Sequence, residues 1–431
     1  MEPSAGPALR KEIRVRHAVA LYVSSVLGSG VLVLPGLTAR IAGPASLVAW
    51  AALAVASYPF AYTFASLSAR SPESGGVYAF AREAFGLPVA TVSGWLFVLW
   101  FVTGAPAVML IASSYVSYAF PLSRQGVFLA AAAVLAAAWA VNRLGIRMSN
   151  RVQVAATSAI VLLLLGAVAF SLPAVRSEAF APFFPQGLLP VGTAAALIFW
   201  SFLGYENVSN VAEEFRDPER DFPRAIGWSV ALIGALYLAV AFVTVGTRAH
   251  LAGGSVAPFA AIFANVAGRF GAVGTALVAV LIIFSTANAY TAGMSRVVLA
   301  VARDGGFPRV LDQVDPVTGV PTRSLALLFG ASFLMLAAYY ALDVDLDTAL
   351  LIPSGAAILV YVVGSAAGIR LLSGGLASRV LPWISLLASL AILPFVGRLA
   401  LAAIGVGAAG MAWGLLRGRS RAAAGPVARG E

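Results

Sequence analysis

Long apolar runs separated by short polar punctuation lay out this chain. The runs cover about 17–42, 45–68, 87–120, 125–141, 149–172, 191–213, 225–246, 259–301, 324–341, 348–371, 380–396 and 399–416. A helix needs about 20 apolar residues to cross the hydrocarbon core of a bilayer, so the pattern predicts an all-α membrane protein with about twelve transmembrane helices. The 259–301 run is too long for one crossing and predicts a break near Gly268-Arg269. The polar segment 70–86 is too short to cross and predicts a short interfacial helix. Segment 173–190 carries Pro173, Pro182, Pro185 and Pro190 and reads as an external linker between two halves.

Two runs are interrupted where they should be most apolar. The first holds Gly28-Ser29-Gly30 between Val26-Leu27 and Val31-Leu32-Val33-Leu34-Pro35. The sixth holds Phe199-Trp200-Ser201-Phe202-Leu203-Gly204-Tyr205-Glu206-Asn207. A carboxylate at membrane depth costs roughly 2.5 kcal/mol or more on insertion scales, so Glu206 marks a functional region. The two breaks head the first five and the second five runs, and five is odd, so the halves would have opposite topologies. The reading is two five-helix inverted repeats, 17–172 and 191–372, followed by two further helices at 379–417. Short tails, 1–16 and 418–431, flank them. Interrupted helices in matching places of inverted repeats point to a site near the bilayer midplane.

Composition narrows the class. The chain is 60% hydrophobic and 11% charged over 431 residues, against about 25% charged in soluble domains. It has no Cys and two His, His17 and His250, which leaves no thiolate or His-rich metal centre. The net charge of +10 reads as basic loops facing lipid headgroups rather than as a nucleic-acid surface. With both termini in the cytoplasm, 28 Lys and Arg residues fall on the inner side except Arg40, Arg124, Arg176, Arg248, Arg269 and Arg398. That asymmetry supports the even span count and the orientation, and the expected location is the cytoplasmic (inner) membrane. No G-x-x-x-x-G-K-[ST] phosphate loop appears, which argues against an ATP-driven pump. No Arg-rich voltage-sensing helix or carbonyl filter supports a channel, and a membrane-embedded enzyme would need clustered intramembrane His, Asp or Glu.

An unwound helix leaves backbone donors and acceptors unpaired, which hydrocarbon tolerates only at a cavity or inside protein. The N-terminal end of a half-helix suits a carboxylate, and free carbonyls suit an ammonium. An α-amino acid offers both groups on one carbon. Gly28, Ser29 and Gly30 would admit its carboxylate, and the carbonyls near Phe202, Leu203 and Gly204 its amine. The small residues would otherwise serve as a close helix contact. Trp200, Phe202 and Tyr205 would line the site or close over it, or pack between helices. Glu206 would carry protons or hold free N–H groups of its own helix, with gating open in either case. Ser285 and Thr286, with Asn288, would coordinate Na⁺ or bond between helices, and Tyr290 would face the same cavity. The run Glu213 to Arg224 is either an inner gate of ion pairs or a solvated loop.

These residues also carry a resemblance. The motifs are Gly28-Ser29-Gly30-Val31 with Pro35, then Ser74-Gly75-Gly76-Val77-Tyr78, and Phe202-Leu203-Gly204-Tyr205-Glu206. Asp217-Pro218-Glu219-Arg220-Asp221-Phe222-Pro223-Arg224-Ala225 and Asp304-Gly305-Gly306-Phe307-Pro308 complete the set. Together they resemble the amino acid–polyamine–organocation (APC) superfamily. Gly94-Trp95-Leu96-Phe97 and the 199–225 pattern are most similar to its bacterial methionine/branched-chain amino-acid exporters. The resemblance implies the LeuT-like 5+5 inverted-repeat fold with helices 1 and 6 broken, and alternating access. It implies Gly28, Ser29 and Gly30 for the substrate carboxylate and the Trp200–Gly204 backbone for the amine. Similarity to the arginine/agmatine antiporters implies that Trp200 packs on the substrate, that Glu206 takes part in gating, and that Tyr290 stands at the substrate site. One departure stands out. Proton-coupled members carry a Lys in span five, and the matching place here is Ala159 or Ile160.

The expectation is a secondary transporter of neutral, hydrophobic L-amino acids, leaning to export. The alternative is a proton-coupled importer or exchanger of amino acids or related amines. No cofactor is expected beyond a coupling H⁺ or Na⁺. The expected partners are the amino acid and the lipid bilayer, with no nucleic acid, in a monomer or homodimer.

Overall fold

The structure, a computed structural model, describes residues 15–70, 76–145, 150–205, 218–251 and 256–423. Glu206, Ser74-Gly75 and residues 213–217 of the charged run lie outside the described residues. Within them all regular structure is helical. The helices are α1 (Val15–Val26), α2 (Gly30–Ala42), α3 (Ser46–Arg70), α4 (Val77–Phe85), α5 (Leu87–Ala119), α6 (Arg124–Arg143) and α7 (Asn150–Ser171). They continue as α8 (Leu189–Ile198), α9 (Pro218–Gly246), α10 (Pro258–Arg303), α11 (Thr322–Ala341), α12 (Leu346–Leu371), α13 (Leu376–Ile392) and α14 (Ala400–Ala423). Many are long and apolar enough to cross a membrane.

Local chemistry explains the boundaries. The expected short helix is α4, entered at Gly76 and left at Gly86, both at positive φ. The over-long run is one helix by hydrogen bonding, but it kinks at Ala267-Gly268, where Gly268 has φ 56°. That left-handed backbone favours glycine, and the kink falls where the sequence places a break. α9 starts at Pro218, seven residues before its apolar run. α13 and α14 are joined by a 3₁₀ segment, Leu393–Leu399, that turns at Gly397 with φ 67°.

Lipid tails are as apolar as leucine, so helix association in a membrane rests on close packing and on hydrogen bonds. Both devices centre on α5, 33 residues long and buried along most of its length between α10, α11, α12 and α14. At about 1.5 Å per residue it exceeds the ~30 Å hydrocarbon core, a mismatch that tilt or a kink accommodates. Pro106 inside α5 and Pro353 inside α12 each lack the donor for the carbonyl four residues back. One buried hydroxyl serves this region. Tyr339 donates to Thr103 O at 3.0 Å and stands 3.5 Å from Ala349 O, the carbonyl stripped by Pro353. Tyr115 of α5 donates to Leu32 O of α2 at 2.5 Å.

Two motifs 226 residues apart in the sequence meet at one end of the bundle. Tyr78 and Arg82 of α4 both donate to the Asp304 carboxylate, at 2.8 and 2.7 Å. Trp95 Nε1 donates to Gly306 O at 3.1 Å and Trp413 Nε1 to Gly305 O at 3.3 Å. The Gly-Tyr motif after α3 and the Asp-Gly-Gly motif after α10 therefore form one joint. At the opposite end, ion pairs Arg40–Asp347 and Arg124–Asp343 close at 3.2 and 2.9 Å.

Candidate functional site

Both sequence interruptions are real breaks, and they touch. α1 ends at Val26, Leu27, Gly28 and Ser29 bend, and α2 starts at Gly30. α8 ends at Ile198 and tightens into a 3₁₀ turn, Phe199–Phe202. The backbone then extends through Leu203 (φ −78°, ψ 151°) to Gly204 at φ 119°. A Cβ on Gly204 would stand 2.4 Å from the Ser25 carbonyl oxygen. The position thus demands glycine twice, for its φ and for the approach of another backbone.

Two side chains tie the breaks together. Ser25 Oγ donates to Gly204 O at 2.7 Å. Tyr237 of α9, fully buried, directs its hydroxyl at Val26 O (3.1 Å) and Ser201 O (3.2 Å). One proton thus serves a carbonyl from each break. Leaving such a buried group without a partner costs about 1–3 kcal/mol.

Beside this junction lies a cavity. It offers about 70 Å³ to the centre of a water-sized sphere, room for on the order of five waters. Ser25, Val26, Gly28, Ser29 and Gly30 form one wall, and Trp200, Ser201 and Leu203 another. Trp100, Phe101, Gly104, Val108 and Met109 of α5 supply a third, with Leu135 and Ala138 of α6 and Phe329 of α11 behind. Thr286, Tyr290, Thr291 and Met294 of α10 close it. Every lining side chain is uncharged and most are apolar. Trp100 stands edge-on to both Trp200 and Tyr290, with ring centroids 6.3 and 6.2 Å apart. Gly104 makes room for the Trp200 indole: a Cβ there would lie 2.7 Å from Trp200 Cη2.

Of the residues singled out in the sequence, Gly28, Ser29, Gly30, Trp200, Leu203, Thr286 and Tyr290 share this cavity. Phe202 does not line it. Its ring packs on Trp50 and Tyr237, at centroid distances of 6.3 and 5.3 Å. Gly204 lies behind the wall against Ser25. Tyr205 is fully buried, 6.0 Å from the Tyr22 ring. Ser285 and Asn288 face a separate polar cleft of about 370 Å³ with Asn142, Ser295, Arg296 and Thr318, where Asn142 Nδ2 donates to Asn288 Oδ1. Adjacent residues of a helix point about 100° apart, so Ser285 and Thr286 serve different spaces.

Tyr237, Ser25, Ser201, Trp100 and Gly104 were not singled out by the sequence reading. A tyrosine in the middle of an otherwise apolar run, and Gly104-Ala105-Pro106 in the middle of another, were the available signals.

Comparison with known proteins agrees with this picture. The amino acid permease family profile matches residues 13–411. The uncharacterized amino acid permease YecA of Bacillus subtilis is 34% identical over 366 residues, covering 85% of this chain and 86% of its own. The L-methionine/branched-chain amino acid exporter YjeH of Escherichia coli is 31% identical over 376 residues, 85% and 87% of the two chains. The branched-chain amino acid permease BcaP of Bacillus subtilis is 28% identical over 337 residues, 74% and 72% of the two.

Proposed function

The chain belongs to the amino acid permease family, a multi-pass membrane protein for amino acid transport, and we propose that it is a secondary transporter of neutral, hydrophobic L-amino acids working by alternating access. One observation carries the reading. Two broken helices meet at a cavity with a helix N-terminus on one side and an uncharged, largely apolar lining on the other. The start of α2 suits a carboxylate. The wall of Trp100, Phe101, Val108, Met109 and Phe329 suits an aliphatic or thioether side chain and offers a charged one no partner. The carbonyls of the second break suit the amine, and Tyr205 and Glu206 would gate the site.

In this proposal 17–172 and 191–372 are inverted five-helix repeats of LeuT type. Residues 173–190 are an external linker, 379–417 form two added helices, and both termini are in the cytoplasm. The tie between the two breaks supports their acting as one functional unit. Export is the favoured direction, from the likeness to YjeH. The likeness to BcaP, a branched-chain amino acid permease by name, supports the same substrate class and leaves uptake or exchange as the second reading. The transported solute is coupled to H⁺ or Na⁺.

Counterflow of labelled leucine in proteoliposomes tests the proposal. Competition by Met, Leu, Ile and Val, but not by Arg or Glu, is the expected result. Equal competition by Arg would refute the neutral-side-chain assignment. Repeating the assay under imposed pH and Na⁺ gradients identifies the coupling ion.

A further inference from the structure

Buried hydroxyls in this bundle follow a habit. Thr38, Thr103, Thr291, Ser229 and Ser354 each donate to the carbonyl four residues back, at 2.6 to 2.7 Å. This is the usual way for a hydroxyl to be satisfied in a helix. Ser201 breaks the habit. It stands on the 3₁₀ turn Phe199–Phe202, whose tighter winding stacks side chains every three residues and swings the hydroxyl off that carbonyl. Ser201 is 3% exposed, and its Oγ has no hydrogen-bond partner. It lines the cavity.

Its position identifies what it faces. A Cβ on Gly30 would lie 2.6 Å from Ser201 Oγ, so the hydroxyl sits directly over the first residue of α2. Ser29, at the N-cap, makes no side-chain bond to the first N–H groups of α2; its carbonyl accepts from Leu32 N–H at 3.2 Å, and the N–H groups of Gly30 and Val31 precede any partner within the helix. An orphan O–H and the positive end of a 13-residue helix thus lie side by side in the cavity wall. Donors of both kinds suit an anionic oxygen. The backbone of Ser201 is meanwhile held by Tyr237 through its carbonyl, which leaves the side chain free to serve the cavity.

We propose that the Ser201 hydroxyl is a specificity-determining donor to the substrate's carboxylate, so that this site distinguishes an α-amino acid from its analogue lacking that group. The proposal rests on the transporter reading above and adds to it a residue of the second break acting on the group expected at the first. Ser201 supplies one donor and the α2 amides the others, and both breaks then close on the same end of the substrate.

Tryptophan-fluorescence titration of the purified full-length protein provides the test, because Trp100 and Trp200 both line the cavity. The ligands are leucine and leucinol, which share amine and side chain and differ only at the carboxylate. In the wild type leucine binds more tightly than leucinol. Ser201→Ala is expected to weaken leucine about ten- to hundredfold, as for the loss of a hydrogen bond to a charged group, and leucinol less than twofold. Should that variant fail to fold, Ser201→Cys keeps the length with a weak donor and is expected to fall between the two. Equal loss for both ligands, or no loss for either, overturns the proposal while leaving the transporter reading intact. A folded wild type that binds no amino acid overturns both.

Discussion

Gly28 and Gly30 are two residues apart, in one break, and neither has a positive φ. The same change, glycine to alanine, therefore tests steric fit without backbone strain. A Cβ on Gly28 would meet Thr286 Cγ2 at 3.5 Å, an ordinary contact. A Cβ on Gly30 would meet Ser201 Oγ at 2.6 Å and Trp200 Cδ1 at 2.8 Å. Against an ordinary contact of 3.4 Å, the Ser201 hydroxyl must move by about 0.8 Å and the Ser201 Cα, at 3.2 Å, by about 0.2 Å. The Ser201 carbonyl is tied to Tyr237 and Gly204 lies against Ser25, so the segment cannot yield freely. Overpacking of this kind costs about 1–3 kcal/mol, or roughly five- to a hundredfold in affinity at tenfold per 1.4 kcal/mol. Leucine binding and counterflow should be near wild type in Gly28→Ala and reduced by that factor in Gly30→Ala. Both proteins should elute as the wild type does on size exclusion. Equal affinities in the two variants would refute the claim that the breaks pack against each other at Gly30, and a loss confined to Gly28→Ala would reverse it.

Further expectations follow from other contacts. Tyr237→Phe removes the donor shared by Val26 O and Ser201 O and should cost about 1–3 kcal/mol, read as a lower melting temperature in detergent. An unchanged value would mean that another donor serves both carbonyls. Asp304→Asn keeps an acceptor for Tyr78 and removes a partly exposed ion pair with Arg82, so it should cost under about 1 kcal/mol. Asp304→Ala should cost more, and equal unfolding curves for the two variants would show that the hydrogen bond from Tyr78 contributes nothing. Partial burial lowers the pKa of His250 below its usual value, and this outweighs its contact with Thr244 O. The unfolded chain then takes the proton first, so the stability His250 allows at neutral pH is lost as pH falls below about 6.5. His250→Gln should flatten thermal stability between pH 7 and 5, and an identical acid slope in the variant would contradict this.

The crossings were legible because their signal is collective: twenty apolar residues in a row have few alternatives. Gly28-Ser29-Gly30 and Leu203-Gly204 were legible because small residues and extended backbone have no reason to sit inside a spanning helix unless something approaches there. Facing was not legible. Trp200 and Phe202 are both aromatic and two residues apart, yet the 3₁₀ turn sends one to the cavity and the other between Trp50 and Tyr237. Ser285 and Thr286 part company for the same reason on a regular helix. Tyr237 escaped notice because a single tyrosine in an apolar run looks the same whether it caps a carbonyl or rests at the lipid interface. Its role depends on two acceptors far from it in sequence, at Val26 and Ser201.

The Tyr237 hydroxyl has one proton and two nearly equidistant claimants, at 3.1 and 3.2 Å. Such an arrangement is a balance as much as a bond. While the two breaks stay together the proton is shared; once they separate it must go with one of them, and the other carbonyl is left without this donor inside the protein. Any motion that parts the first break from the second therefore meets a step in energy at this hydroxyl rather than a smooth slope. The pair would tend to travel as one body, and the hinge of a transport cycle would lie outside this junction rather than within it.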